Sequence, residues 1–446
     1  MAGILIGANA YVGHVTPLLP IARLLVERGH DVRFYTGRAF EQRVRATGAR
    51  FLPIRAELEV DERDPNARFP ERASLSGVKL VKHIVRHEFT ADGLAQYEDF
   101  RAILDDEPAD LMLVESTFAG ARWVHEKGGP PWAVLNITTL MLGSRDTAPG
   151  GFGLAPGRGA VGRLRDRLLR RLVFRTFREE IRYFDELRQS IGLPATGEYV
   201  TEAPLSPFLF MHPTVPAFEF PRTDLPPQVH FLGPILPPPP ADFTPPPWWS
   251  DLDSGRPVVH VTQGTVQTDG AHLITPTIRA LAGEDVLVVA TTGGPPVESL
   301  RLDHVPDNVR LARFVPHARL LPYVDVMVTN GGYNGIQAAL ANGVPLVATG
   351  RTEDKPDVCA RVAWAGVGVD LRSARPSPAR IRGAVRRVLS DPGFTQRARL
   401  LSESMAAHDA PAEAADLVER LLATGRPVVR AQRPDAVDLA GVRALK

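Results

Sequence analysis

The chain holds one cysteine, Cys359, in 446 residues, so no intrachain disulfide can form and a reducing compartment is expected. It has no surplus of either charge. A net of +1 gives neither nucleic acid nor an anionic membrane an electrostatic footing, judged on the total. No apolar run approaches the roughly 20 residues of a membrane span, so stable membrane insertion is not expected. The opening MAGILIGANAYVGHV lacks both a basic flank and a long apolar stretch. It does not read as a signal peptide, and a cytoplasmic location is expected. Motifs are missing too: no GxSxG elbow and no GxGxxG after the first apolar run, which weakens a dehydrogenase reading. No cluster of histidine and acidic residues has metal-ligand spacing, so no metal is expected.

What is present is α/β patterning, twice. Gly3 to Gly7 is a short buried-strand pattern, and Leu18, Ile21, Ala22 and Leu25 recur at helical spacing. Thr16 and Pro17 stand as N-cap and first helical residue, after a loop from Ala8 to His14. Asp31 to Gly37 is the next strand, so the chain opens as βαβ, the start of a parallel sheet. Asp110 to Glu115 is a strand ending in a carboxylate, and Trp132 to Asn136 follows it. The stretch 163–191 is helical and rich in arginine, which reads as a solvated face. Prolines then crowd 204–257 and mark a stiff linker, with a brief strand at Phe231 to Pro234 leading into a second domain. The length asks for two domains in any case. The boundaries expected are 1–215, a linker over 216–256, a second domain over 257–405, and a closing helix and tail over 406–446.

The second half restarts with strands at Val258 to Thr262, Asp285 to Thr291, Val309 to Phe314, Val324 to Thr329 and Pro345 to Thr349. The stretch VMVTNGGYNGIQAALANGVPLVATG reads as strand, glycine turn, helix, strand. Gly331 and Gly332 allow a sharp turn and close backbone approach, and the helix that follows aims its first amides and positive dipole end at an anion. A diphosphate fits that opening; a plain tight turn is the alternative on these residues alone.

Across nearly its whole length the chain resembles the two-domain, inverting, UDP- or TDP-sugar-dependent glycosyltransferases of the GT-B architecture. The bacterial branch that decorates macrolides, flavonoids and other natural products is the particular likeness. The residues that carry it are Gly13-His14-Val15-Thr16-Pro17, Phe314-Val315-Pro316-His317, Asn330 to Asn334, Gly343-Val344-Pro345-Leu346 and Glu353-Asp354-Lys355. The resemblance implies two Rossmann-like domains facing across a cleft, with an acceptor bound by the first and a nucleotide sugar by the second. It makes His14 the base for the acceptor hydroxyl, with Glu115 as its carboxylate partner where relatives usually carry aspartate. Just before a helix N-terminus, the His14 ring is expected to stay neutral and able to take a proton.

By the same resemblance, Thr265 and the amides and side chains of Gly331, Gly332, Tyr333, Asn334 and Gly335 hold the diphosphate. Phe314 lies under the base, the Val315 backbone reads its edge, and Asp354 faces the sugar hydroxyls. Gly13 and His317 are further candidates, His317 equally as a helix cap. Asn330 replaces a phosphate-binding histidine, Ala338 a ribose-binding glutamate (with Gln337 as substitute), and Lys355 a sugar-binding glutamine. Asp251 and Asp253 have the spacing of the metal-binding motif of another glycosyltransferase fold, but lie after a proline run and read as linker. The expected partners are a nucleoside-diphosphate sugar and a small hydrophobic hydroxylated acceptor, with no resident cofactor. The oligomeric state is left open, a homodimer included. Two alternatives stand beside the transferase: a nucleotide-sugar epimerase or hydrolase, and a non-catalytic nucleotide-binding activator.

Overall fold

Strands with no polar alternation, flanked by amphipathic helices, can satisfy both faces only inside a parallel sheet covered by helices on either side. A computed structural model shows this arrangement twice. It describes residues 1–61, 64, 66–198, 201–240, 242–264 and 269–430.

The first sheet has seven strands: β1 (Gly3–Gly7), β2 (Asp31–Thr36), β3 (Arg50–Pro53), β4 (Leu111–Glu115), β5 (Trp132–Leu135), β6 (Leu209–His212) and β7 (Val229–Phe231). Their spatial order is β3-β2-β1-β4-β5-β6-β7, all parallel, with the order reversing between β1 and β4. The second sheet has six: β8 (Val258–Thr262), β9 (Leu287–Thr291), β10 (Val309–Ala312), β11 (Val326–Thr329), β12 (Leu346–Ala348) and β13 (Gly368–Asp370), in the order β10-β9-β8-β11-β12-β13. It too is parallel and reverses beside its first strand. Two such sheets are the GT-B architecture, and ligands of open parallel sheets sit beyond the strands' carboxyl ends at the reversal.

The helix Leu18–Glu27 shows why the elements hold. Its Leu18, Ile21, Ala22 and Leu25 are all buried on the sheet, and each of the larger three contributes about 1.5–3 kcal/mol by leaving water.

Several boundaries differ from the sequence reading. The strand expected at Phe231 to Pro234 lies earlier, at Val229–Phe231, and pairs with β6 in the first sheet rather than entering the second domain. The proline-rich stretch is therefore partly first-domain structure, while Val215 and Phe218 pack in the core of the second. The arginine-rich stretch is two helices, Gly159–Thr176 and Arg178–Ser190. The helix Ala410–Thr424 returns to the first domain: Ala414, Val418 and Leu421 join its core, and Arg28 and His30 pair with Glu419. No helix among the described residues is long and apolar enough to cross a membrane.

Candidate functional site

The chain leaving β1 turns at once into a one-turn helix, Val12–Val15, with His14 in it. This corrects the sequence reading, which set His14 in a loop ahead of a helix N-terminus capped by Thr16. Pro17 immediately precedes the next helix, and His14 lies at the C-terminal end of its own turn. The ring is governed by a neighbouring charge instead. Nδ1 lies 3.1 Å from Oε1 of Glu115, the last residue of β4, and that carboxylate is fully buried. β1 and β4 are adjacent, so the two side chains meet where the sheet reverses.

Glu115 is held by more than the imidazole. The Thr117 amide donates to Oε2 at 2.5 Å, and the Thr117 hydroxyl lies 2.7 and 2.9 Å from the two carboxylate oxygens. The Asn9 side-chain amide donates to that hydroxyl at 2.9 Å, and the Gln96 amide donates to Asn9 at 2.8 Å. Burial alone would raise the Glu115 pKa; the His14 ring and the Thr117 donors outweigh it and hold the carboxyl below its ordinary value. A carboxylate on Nδ1 fixes the tautomer with its proton there, which leaves the Nε2 lone pair to accept a proton. Tyr11 stands beside this pair, its ring centroid 5.0 Å from that of His14 and its hydroxyl donating to Glu88 at 3.1 Å.

Asn9, Gln96 and Thr117 were not singled out from sequence. Thr117 lies only two residues beyond the strand-end carboxylate, so its contact is local, whereas Asn9 and Gln96 reach the pair from distant segments. Gly13 is placed openly: a Cβ there would meet nothing within 4 Å.

In the second domain the chain leaving β11 makes the expected turn. Gly331 has φ +88, and a Cβ on it would lie 2.8 Å from Cys359 Sγ and 3.0 Å from the Thr349 carbonyl. Glycine is required there on both counts. Gly332 is the N-cap of the helix Tyr333–Ala341, whose first-turn amides have no intrahelical acceptor. Asn334 is exposed on that turn and Gly335 half-buried beside the largely buried His317. His317 begins the helix His317–Leu320 without a side-chain capping bond. Asn330 is buried, with its amide donated to the Gln263 carbonyl at the end of neighbouring β8. Phe314 is 68% exposed beyond β10, its ring largely in solvent, while Val315 is buried. Thr265 lies outside the described residues.

Four further expected donor residues are engaged by protein. The Tyr333 ring stacks on His212 of the first domain at 6.3 Å, and the Gln337 carbonyl oxygen accepts from Thr214 at 3.1 Å, so the Gln337 side chain is turned to the domain boundary. Lys355 is buried and paired with Glu353. Asp354 is buried as well and accepts from Thr138 of the first domain at 2.5 Å; burial raises its pKa, with Lys355 opposing. Glu353, just before it, has φ +56, a conformation that costs a non-glycine residue energy and tends to mark functional turns.

The loops beyond the two sets of strand ends meet through Thr138 and Asp354, and again where the amides of Gly151 and Gly153 donate to Asp357. The edges that carry His14 and the Gly331–Gly335 turn therefore face each other. Beneath them lies a buried ionic node that the sequence did not reveal. Glu219 bonds His212 at 3.0 Å and Arg361 at 2.8 Å, and Arg361 lies over the Phe220 ring.

Comparison with known proteins agrees with this geometry. Residues 277–421 match the family described as Erythromycin biosynthesis protein CIII-like, C-terminal domain. The chain is 47% identical over 423 residues to 4'-demethylrebeccamycin synthase of Lentzea aerocolonigenes, covering 94% of this chain and 100% of that one. It is 31% identical over 440 residues to UDP-glycosyltransferase 2 of Phaeomoniella chlamydospora, with 94% and 96% covered. Among solved structures, a kitacinnamycin glycosyltransferase superimposes with TM-score 0.74 at 24% identity over 94% of this chain and 99% of that one. A spinosyn rhamnosyltransferase complexed with thymidine diphosphate does so with TM-score 0.66 at 18% identity, over 94% and 100%. With nearly half its residues shared along the whole of one such enzyme, and with the same two-domain scaffold, the chain belongs to the GT-B family of natural-product glycosyltransferases.

Proposed function

We propose that this glycosyltransferase moves a sugar from a UDP- or TDP-sugar to a hydroxyl of a small hydrophobic natural product, with inversion at the anomeric carbon. The carrying observation is the buried Glu115 carboxylate 3.1 Å from His14 Nδ1, at the carboxyl edge of the first sheet. In the proposed step His14 Nε2 takes the hydroxyl proton as the acceptor oxygen bonds to the anomeric carbon. The bond from that carbon to the diphosphate breaks in line, its electron pair leaving with the nucleoside diphosphate. The first-turn amides of Tyr333–Ala341 lie where that negative charge collects, and donors so placed accelerate the step more than uniform binding does. The exposed Phe314 face supports stacking under the nucleotide base, and Asp354 supports recognition of sugar hydroxyls. The relative named as a rebeccamycin synthase and the neighbour holding thymidine diphosphate support the acceptor class and the donor class respectively. A nucleotide-sugar donor and a single cysteine fit the cytoplasm.

The test is incubation with UDP- and TDP-sugars, with and without a panel of polycyclic hydroxylated acceptors, read by mass spectrometry. A sugar-sized mass gain on an acceptor is expected. His14→Ala should lower transfer by about 10²–10⁴-fold while calorimetric binding of UDP or TDP persists. Equal turnover by that variant removes the proposed base, and nucleotide release with no acceptor product would favour a hydrolase.

A further inference from the structure

The helix Gly159–Thr176 of the first domain carries six arginines and one acid, Asp166, while the chain as a whole stands at +1. The near-neutral total, which alone gave no case for an anionic membrane, conceals this concentration. Asp166 is buried, bonded to the Gly157 amide and to Arg165, so it contributes no charge to the outer face.

That outer face is also apolar. Val161 is 82% exposed, Leu164 54%, Leu168 53% and Leu172 56%. At about 100° per residue these four fall in one narrow stripe. Arg165 flanks one edge, and Arg167 and Arg171 the other. Single exposed leucines need no explanation, but an aligned row of four on one helix does. A second helix adds to the apolar area. Gly77–His83 leaves Val78 and Val81 exposed, while its Lys82 is paired with Glu180 at 3.3 Å. It lies alongside the end of the first, with the Lys82 ammonium 6.0 Å over the Phe177 ring.

We infer that this face docks the acceptor-binding domain on an anionic lipid surface. A helix of 18 residues, apolar along one stripe and lined by Arg167 and Arg171 along one edge, has the makeup of one that lies in the plane of a bilayer interface. The leucines reach the acyl boundary and the guanidinium groups meet lipid phosphates. Charge decides against a second copy of this chain as the occupant. A two-fold interface would bring the same arginine rows against each other, and like charges across an interface repel. The contact is a surface one, since no described helix can span.

The experiment is sedimentation of the full chain with phosphatidylcholine vesicles, with and without a minority of phosphatidylglycerol. Binding is expected only to the phosphatidylglycerol vesicles, and it should weaken as salt rises. The double variant Arg167→Gln/Arg171→Gln should weaken it by at least about tenfold. The triple variant Leu164→Gln/Leu168→Gln/Leu172→Gln should weaken it similarly, since the apolar stripe supplies the other half of the affinity. Both variants should keep wild-type circular dichroism and transfer to a water-soluble acceptor, which separates this inference from the proposed activity. Absence of binding to anionic vesicles overturns it, as does equal binding by either variant. A dimer in light scattering that the triple variant dissolves, without vesicle binding, would assign the face to self-association and overturn it too.

Discussion

Glu115→Gln tests the proposed catalytic pair most directly. The glutamine keeps the volume but offers one acceptor oxygen where the carboxylate offers two. Oε2 already takes the Thr117 amide at 2.5 Å, and Oε1 faces His14 Nδ1 at 3.1 Å. If the glutamine oxygen keeps Thr117, its NH₂ meets Nδ1 and forces the imidazole proton onto Nε2, where it cannot accept another. If it turns around, two N–H donors confront each other in a buried site, at about 1–3 kcal/mol. Either way the ring loses both its tautomer and the charge that stabilises the imidazolium. The same inversion in a Ser-His-Asp triad lowers kcat by about 10⁴. We expect a fall of about 10³–10⁴ here, equivalent to about 4–5.5 kcal/mol of barrier. The assay is kcat at saturating donor and acceptor, followed by chromatography of the product, beside calorimetric Kd for the nucleotide. Glu115→Asp, which keeps the charge but shortens the reach, should retain more activity than the amide. A loss in Glu115→Gln below tenfold, or a change in nucleotide Kd as large as that in kcat, would refute the pairing.

Phe314→Ala should shift unfolding free energy by less than about 0.5 kcal/mol, because the ring is mostly in solvent. It should weaken nucleotide binding by about 1–3 kcal/mol, the worth of one base stacked on an aromatic ring; calorimetry beside denaturant unfolding checks both. Glu219→Gln leaves Arg361 buried without its partner and should cost about 3–5 kcal/mol in urea unfolding. In the parent protein, burial would raise the Glu219 pKa, but Arg361 and His212 outweigh it and hold it at about 2. A depressed carboxyl contributes stability that is complete above its ordinary value, about 4.5, and is lost as pH falls towards 2. The acid limb of a stability–pH curve should therefore be shallower in Glu219→Gln, and an unchanged limb would contradict the assignment.

The strands were legible because a sheet buried on both faces needs runs such as Leu111 to Val114, and no other element of that length does. The Gly331 turn was legible because its glycines have a local steric cause. The pair of His14 and Glu115 came from resemblance together with the rule that ligands meet parallel strands at their carboxyl ends. What escaped lies in side chains that meet from afar. Thr138 and Asp354 are 216 positions apart, and Arg361 and Glu219 142; no periodicity encodes such contacts. Resemblance assigns Tyr333 and Gln337 to the donor, yet the helix turns the Tyr333 ring towards His212 and the Gln337 amide towards Thr214. The dipole argument for His14 failed on a boundary: the helix expected at Thr16 is preceded by a separate turn that already holds the histidine.

Among the described residues, and besides the loop that lends Val215 and Phe218 to the second core, the polypeptide passes between its sheets twice, once outward after β7 and once back ahead of Ala410–Thr424. A single crossing would leave the halves free to twist about one bond path. Two crossings act like paired hinges on a door, so swinging apart remains easy while swivelling does not. Any closing of the gap would then bring the glycine turn to the same bearing on His14, set by covalent wiring as much as by what fills the gap.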